Sequence, residues 1–140
     1  MIRVVLDTCV FVSAVISPDG PNAAILELIV SGEVRAYITE AVLAEYSRVF
    51  EYERLKHLDR RRIARLRRLL ETASVKVKPR GRLKISGHEE DNRIYECAVA
   101  AKADYIVTEN TKHFKEAYKN TKIVNARQLL KLFHDGGVKN

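Results

Sequence analysis

The sequence predicts an α/β fold in which helices cover both faces of a central parallel sheet of four to five strands. Short segments at residues 2–6 and 34–38 are apolar except for one arginine each, as expected of strands that are buried on both faces. Longer segments with apolar residues at helical spacing separate the strands along the chain. Strands and helices therefore alternate, which is the order found in parallel sheets.

The first half of the chain contains two predicted strands and three predicted helices. After the first strand, turn residues at 17–20 precede Pro21, which suits the first turn of a helix because its missing N–H is not needed there. Thr39 is a predicted N-cap for a helix that runs to about Phe50, and Asp59 is a predicted cap for the next helix. The apolar stripe of that helix is formed by Ile63, Leu66, Leu70 and Ala73.

The second half contains the remaining three strands and two helices. Residues 75–77, 105–108 and 123–124 are predicted strands, because each is a short apolar run next to turn residues or a helical pattern. Residues 91–102 and 126–133 have the periodicity of helices.

A chain of 140 residues fits one domain. We expect this domain to cover residues 1–135 and a flexible C-terminal tail, which begins with two glycines, to cover residues 136–140. No apolar run approaches the roughly 18–20 residues that span a bilayer. Cys9 and Cys97 have no metal-ligand spacing and are interpreted as small buried hydrophobes in a reduced, cytoplasmic protein without a membrane partner.

Positive charge is concentrated in the middle of the chain. The net charge is +7, and residues 48–84 contain fourteen Lys and Arg against four Asp and Glu. Such asymmetry favours a polyanionic partner, although it does not distinguish a nucleic acid from an acidic protein.

Three carboxylates stand at positions that burial alone does not explain. Asp7 directly follows the first strand, at the sheet edge where ligand sites form, although a helix cap or turn is the alternative role. Glu45 borders the apolar stripe of its helix, with pairing to Arg48 as the alternative. Asp91 lies on the inward face of its helix, at the N-terminus where the helix dipole favours negative charge.

Other polar residues follow at the same edge of the sheet. Glu90 precedes Asp91, and Glu109 and Asn110 follow the strand at 105–108, whereas Asp104 stands at the opposite edge and is excluded. Converging carboxylates need a cation between them, and oxygen ligands suit Mg²⁺ or Mn²⁺. One or two such ions can activate a water and stabilise the leaving oxygen in phosphodiester hydrolysis.

At these residues the sequence resembles the PIN-domain family of nucleases. The resemblance lies in three segments that follow one another in order, VVLDTCVFVSAV, AVLAEYSRV and EEDNRIYECAVAAKADYIVTENTKHF. It implies a PIN-like three-layer α/β/α domain and a metal-dependent endoribonuclease. The last segment and the chain length are most similar to the branch identified as toxins of VapBC-like toxin–antitoxin pairs, which implies an antitoxin partner and a homodimer.

The resemblance also implies roles for individual residues. Three residues would be catalytic and metal-binding, and a fourth would be a further metal ligand: Asp7, Glu45 and Asp91, and then Asn110. The family often has Asp at this fourth position and Asn in place of Cys9. Because Asn110 brings no charge, Glu109 would have to compensate, and binding of a single metal or weak activity would follow. The supporting residues would be Thr8, Ser13, Glu90, Thr108 and Glu109.

The helix after Asp59 carries six arginines, of which Arg61, Arg65 and Arg68 share one face away from the apolar stripe. This face is a candidate RNA-binding surface, and a solvated basic face is the alternative. His113 is interpreted as part of a structural turn beside the site, with substrate contact as the alternative.

Two functions follow from these patterns. The first is a Mg²⁺- or Mn²⁺-dependent endoribonuclease, the toxin of a toxin–antitoxin pair. The second is a catalytically weak module of the same fold that binds RNA or a protein. A haloacid-type phosphatase would have a second Asp in place of Cys9, a receiver domain would need a Lys after a later strand, and a helical Glu45 fits neither.

Overall fold

Five parallel strands form one sheet in the computed structural model, which describes residues 1–114 and 117–138, the last two without side chains. The strand order is β3-β2-β1-β4-β5. Because the chain builds outward from β1 first on one side and then on the other, the carboxyl ends of β1 and β4 meet at a topological switch point. The strands are β1 (Arg3–Leu6), β2 (Arg35–Ile38), β3 (Val75–Lys76), β4 (Tyr105–Val107) and β5 (Lys122–Val124).

Helices flank the sheet. One of them, α5, packs against β1, β2 and β4, whereas α2 packs against α1, α4 and α6. The predicted three-layer α/β/α domain with a central parallel sheet is therefore confirmed. Within the described residues, no single helix is long and apolar enough to cross a membrane; α1 and α2 meet that test only as a pair bent by 105°. The helices are α1 (Thr8–Ile16), α2 (Pro21–Val30), α3 (Glu40–Arg48), α4 (Arg60–Ala73), α5 (Glu89–Ala101) and α6 (Ala126–Val138).

The first helix, α1, was not among the predicted elements. It begins directly after β1, and Val10, Phe11, Ala14 and Val15 on it are buried. Apart from Thr8 and Ser13 its sequence is apolar, and it is rich in β-branched residues, which are typical of strands, so no amphipathic pattern marks it as a helix. Asp7 caps it by accepting the Thr8 N–H at 2.8 Å, so the capping role considered for Asp7 exists together with its position at the sheet edge.

The predicted caps of α3 and α4 are present in the structure, whereas α6 ends later than predicted. Thr39 accepts the Val42 N–H at 3.1 Å, and Asp59 accepts the Arg61 N–H at 2.9 Å. The predicted tail at 136–140 overlaps α6, which continues to Val138 instead of ending near residue 133. Each of the two glycines there weakens the helix by only about 1 kcal/mol, which a helix of 13 residues tolerates. Residues 139–140 lie outside the described residues.

Tyr46 joins α3 to the end of β1. Its side chain is fully buried, and its hydroxyl donates to the Leu6 carbonyl, one residue before Asp7. We expect Tyr46→Phe to lower the free energy of unfolding by about 1–2 kcal/mol, because a buried carbonyl loses its donor. Urea unfolding measures the change, and Tyr52→Phe is the matched control because Tyr52 is 44% exposed. Equal losses in the two variants would contradict the assignment.

Candidate active site

Asp7 lies at the carboxyl end of the central strand, where three donors hold its carboxylate. Oδ1 accepts the Thr8 N–H, and Oδ2 accepts the Thr108 hydroxyl at 2.7 Å and the Cys9 thiol at 3.2 Å. Thr108 follows β4, so this contact joins the ends of two neighbouring strands. Asp7 is therefore fixed at the switch point, where open α/β sheets bind ligands.

Cys9 has a polar role that its interpretation as a small buried hydrophobe missed. Burial, and then the charge of Asp7, raise the pKa of the Cys9 thiol to about 12. The thiol is consequently protonated at neutral pH and donates to Asp7, while its sulfur accepts the Glu109 N–H at 3.3 Å. The sequence signal was its spacing of two residues from Asp7, at a position where the family often has Asn, another side-chain donor.

Asp91 is buried at the start of α5, with 7% of its surface exposed. Its Oδ2 accepts the Ser86 hydroxyl at 3.3 Å. Burial, and then the charge of Asp7, raise the pKa of Asp91, whereas His113 and His88 act in the opposite direction. Asp91 and Asp7 are thus close enough for their charges to interact, although 84 positions of chain separate them.

Glu45 on α3 has the partner that the sequence offered as its alternative role, and it also lies near the other carboxylates. Its carboxylate pairs with the Arg48 guanidinium at 3.0 Å. Burial raises the pKa of Glu45, the Arg48 charge opposes this, and the charges of Glu90 and Asp7 raise it further. Glu45 therefore belongs to the same electrostatic group as Asp7 while holding a cation of its own.

A cleft of about 290 Å³ lies between α3 and α5, and Thr8, Glu45 and Glu90 line it. Three arginines share this lining: Arg48, the alternative partner of Glu45, and Arg82 and Arg93, which the sequence did not single out. Glu96 and Glu89 hold Arg93 by ion pairs of 2.9 and 3.4 Å.

The predicted RNA-binding residues are elsewhere. Arg61, Arg65 and Arg68 are exposed on α4, and none of them is among the described residues that line the cleft. Helix α4 packs against α1, α2, α3 and β2. The basic face of α4 is therefore a surface separate from the cleft of Glu45.

Glu109 and Asn110 follow β4, and among the described residues the side chain of Glu109, but not that of Asn110, is bonded to other elements. The Ser13 hydroxyl and the Asn22 amide, the latter at 3.0 Å, donate to Glu109 Oε1. Ser13 thus holds Glu109 against α1 and α2. Asn110 is exposed, and its N–H donates to the Thr108 hydroxyl oxygen at 3.0 Å. No motif or spacing in the sequence singles out Asn22 as a partner of Glu109.

The chemistry of these donors fits a hard divalent cation. Asp7 and Asp91 offer carboxylate oxygens, which are ligands for such a cation. Burial, and then the charge of Asp7, raise the pKa of Asp91, and a positive charge between the two carboxylates would relieve their repulsion. As the side chains stand, no three His, Cys, Asp or Glu residues within 1–114 and 117–138 form a group ready to hold a metal. Glu45 would have to leave Arg48 to join a cation at Asp7.

Thr108 connects Asp7 to the loop that carries Asn110, and it is fully buried. We expect Thr108→Val to lower the free energy of unfolding by about 1–3 kcal/mol, because the Asp7 carboxylate loses a donor and the Asn110 N–H loses an acceptor. Thermal or urea unfolding measures the effect. Thr108→Ser, which keeps the hydroxyl, is the matched control, and a loss as large as that of the valine variant would contradict this role.

Three comparisons relate this geometry to known proteins. The chain matches the family described as PIN domain over residues 3–112. It is similar to "Uncharacterized protein MJ1680" of Methanocaldococcus jannaschii, with 31% identity over 104 residues, which cover 73% of this chain and 67% of the relative. Its fold is similar to a chain in the crystal structure of VapBC2 from Rickettsia felis bound to a DNA fragment from their promoter. That similarity has a TM-score of 0.59 and 18% identity, and covers 89% of this chain and 98% of the other.

Proposed function

The chain belongs to the PIN-domain family, and we propose that it is a metal-dependent endoribonuclease that hydrolyses RNA phosphodiester bonds. PIN domains are generally nucleases that use divalent metal ions. The finer statements, which are RNA as the substrate and Mg²⁺ or Mn²⁺ as the metal, are our proposal.

The observation that carries the proposal is the electrostatic coupling of Asp7 and Asp91 at the switch point of the sheet. Two neighbouring carboxylates in a partly desolvated place destabilise each other, and an ion pair or a bound cation removes that cost. Three donors already orient the Asp7 carboxylate, which is typical of a carboxylate held for a ligand.

Asp7, Asp91 and Glu45 would hold the cation, with Asn110 as a neutral oxygen ligand. A bound Mg²⁺ or Mn²⁺ supplies positive charge that activates a water and stabilises the leaving oxygen of a phosphodiester. Thr8, Thr108 and the Cys9 thiol keep the Asp7 carboxylate oriented, so little reorganisation is needed when the substrate arrives. Glu90, beside Glu45, adds negative charge to the same place.

Arginines on two surfaces would hold the RNA backbone. Arg48 and Arg82 line the cleft beside Glu45 and are placed to contact phosphates near the carboxylates. The exposed Arg61, Arg65 and Arg68 of α4 would extend the contact to phosphates farther along the strand. The concentration of positive charge at residues 48–84 supports this division.

Cleavage of a mixed panel of structured and single-stranded RNAs tests the function. The purified chain is incubated with Mg²⁺, with Mn²⁺, or with EDTA, and products are resolved by gel electrophoresis. Internal cleavage that requires the added metal is the expected result. RNA that remains intact in all three conditions would overturn the proposal.

A binding module remains the second candidate, because Asn110 replaces a charged ligand and Glu109 is held by Ser13 and Asn22. Such a module would bind RNA or a protein without cutting. Binding of the same RNA panel in a filter or anisotropy assay, without cleavage under any metal condition, would favour this function.

We propose further that the chain is a toxin with a cognate antitoxin, that it acts in the cytoplasm, and that it forms a homodimer. Support comes from the fold similarity to a chain of the VapBC2 structure and from the resemblance of the last sequence motif and of the chain length to the toxin branch of the family. Co-expression with the product of the adjacent gene, followed by light scattering after size-exclusion chromatography, measures both assemblies. Single-chain mass with and without the neighbour would contradict both assembly proposals.

A further inference from the structure

A second pocket, of about 530 Å³, shares none of its described lining residues with the cleft of Glu45 and includes Ser86, a hydrogen-bond partner of Asp91. Its volume lies within the range of small-ligand sites, which are about 300–1,000 Å³. Its wall comes from the residues before α5, from α5 itself and from the loop after β4. The lining includes Ser86, His88, Tyr95, Lys112, His113 and Tyr118.

The pocket has an aromatic floor. The Tyr95 ring packs against Phe114 with the ring centroids 5.3 Å apart, and against Tyr118 with the centroids 5.8 Å apart. Tyr95 and Phe114 are 2% and 1% exposed, and Phe114 packs against Tyr95 without lining the pocket. The lining tyrosine Tyr95 is therefore anchored in the core.

Two imidazole rings form the rim. His88 and His113 stack with ring centroids 5.3 Å apart and planes inclined by 16°. Both residues are exposed, and the exposed Lys112 stands next to His113. The rim therefore combines planar π surfaces with a positive point charge, which is the pairing that binds an unstacked base and its phosphate.

The pocket is connected to the carboxylates by a shared side chain. Ser86 lines the pocket, and its hydroxyl donates to Asp91 at 3.3 Å. Burial raises the pKa of Asp91, and the charges of His113 and His88 oppose that rise, which is consistent with both rings lying near that carboxylate. A group bound in the pocket is thus adjacent to the candidate catalytic centre.

We infer that this pocket binds an unpaired nucleotide of single-stranded RNA, next to the phosphate that is cut, with its base stacked on the histidine rim and its phosphate near Lys112. This inference rests on the proposed function and adds to it a place where the substrate is recognised. Base stacking tolerates any sequence, whereas pocket shape would give the site its preference among bases.

Binding measured without metal tests the inference separately from cleavage. Fluorescence anisotropy of short labelled single-stranded RNAs in EDTA reports affinity when no cutting can occur. We expect His113→Ala to weaken binding at least about fivefold, the loss that one stacked base would cause. His113→Tyr keeps a planar ring and is expected to restore binding, and His57→Ala, an exposed histidine away from the pocket, should leave it unchanged.

An RNA scanned with single abasic sites gives the second measurement. One abasic position should weaken binding to the parent protein but not to His113→Ala, because that variant has already lost the stacking partner. Lys112→Ala should reduce the slope of log affinity against log salt by about 0.7, as expected for the loss of one phosphate contact. The control is Lys131→Ala on α6, whose slope should stay near the parent value.

The outcomes separate this inference from the proposed function. Cleavage by the parent together with unchanged binding by both pocket variants would overturn the inference and leave the nuclease intact. Binding that depends on His113 but is never followed by cleavage would support the pocket and overturn the nuclease. A parent chain that binds no RNA would overturn both.

Discussion

Asp7→Asn is expected to reduce metal-dependent RNA cleavage by at least about 100-fold while leaving the fold intact. Asn is as good an N-cap as Asp, so α1 keeps its start, and the side-chain oxygen can still accept the Thr8 N–H. The substitution removes the negative charge that would bind the cation. It also places an amide nitrogen where Oδ2 accepts from Thr108 and Cys9, so some stability is lost although the cap of α1 remains. Initial cleavage rates at saturating Mg²⁺ or Mn²⁺ measure the effect.

The matched control is Asp104→Asn. Asp104 also accepts a backbone N–H, that of Arg3 at 2.9 Å, but it stands at the amino end of β4, on the opposite edge of the sheet. Its charge is therefore remote from the candidate site. Equal cleavage rates for the two variants would mean that Asp7 is a structural cap alone, and the nuclease assignment would then lose its central residue.

The sheet could be predicted from the sequence because its strands are short, apolar and separated by turn residues. Buried parallel strands leave this continuous pattern, and caps such as Thr39 and Asp59 mark the helices between them. Helix α1 left no such mark, because a helix buried on most sides has no polar face. Its identity depends on packing, which local sequence does not encode.

Asp7 and Asp91 could be selected because each is a charged residue next to apolar structure: Asp7 directly follows an apolar strand, and Asp91 lies on the apolar face of its helix. That argument needs only the element and its direction. It could not find the partners that orient them, since these come from distant parts of the chain: Thr108 reaches Asp7 across 101 positions, and Ser13 reaches Glu109 across 96. Only the three-dimensional fold brings such pairs together.

The arginines also show that a sequence pattern identifies a surface but not its surroundings. Helical spacing places Arg61, Arg65 and Arg68 on one face, and that face is exposed. Arg82 lies in an irregular segment without periodicity, so nothing in its neighbourhood indicated that it lines the cleft with Glu45. Periodicity identifies a surface but not what lies beside it.

Asp91→Asn is expected to remove most of the stabilisation that a divalent metal gives to the folded chain. A ligand that binds only the folded state raises the free energy of unfolding by about 2.7 kcal/mol at about 100 times its Kd. Because Asp91 and Asp7 are the mutually repelling pair, loss of either charge weakens the cation site directly. Thermal unfolding with increasing Mn²⁺ measures the shift, and Asp19→Asn, an exposed turn residue, is the control.

The same variant has a pH dependence whose sign follows from the direction of the pKa shift. Burial, and then Asp7, raise the pKa of Asp91 above its ordinary value of 3.8, so the folded state binds this proton more tightly than the unfolded state. Without metal, the stability of the parent should therefore fall as pH rises from about 3.8 through the raised pKa, and stay lower above it. Asp91→Asn should lack this part of the decline and be at least as stable as the parent at neutral pH in EDTA.

Added metal should reverse the order of stability of the parent and Asp91→Asn, and this reversal distinguishes a metal ligand from a structural carboxylate. In EDTA the charge of Asp91 opposes folding, since burial and Asp7 both act against it; with a cation bound, the same charge becomes an attraction. The parent should therefore overtake Asp91→Asn in unfolding temperature as Mn²⁺ is added at neutral pH. If the charge of Asp91 only complemented the dipole at the start of α5, the variant would be less stable than the parent in EDTA and added Mn²⁺ would leave the difference unchanged.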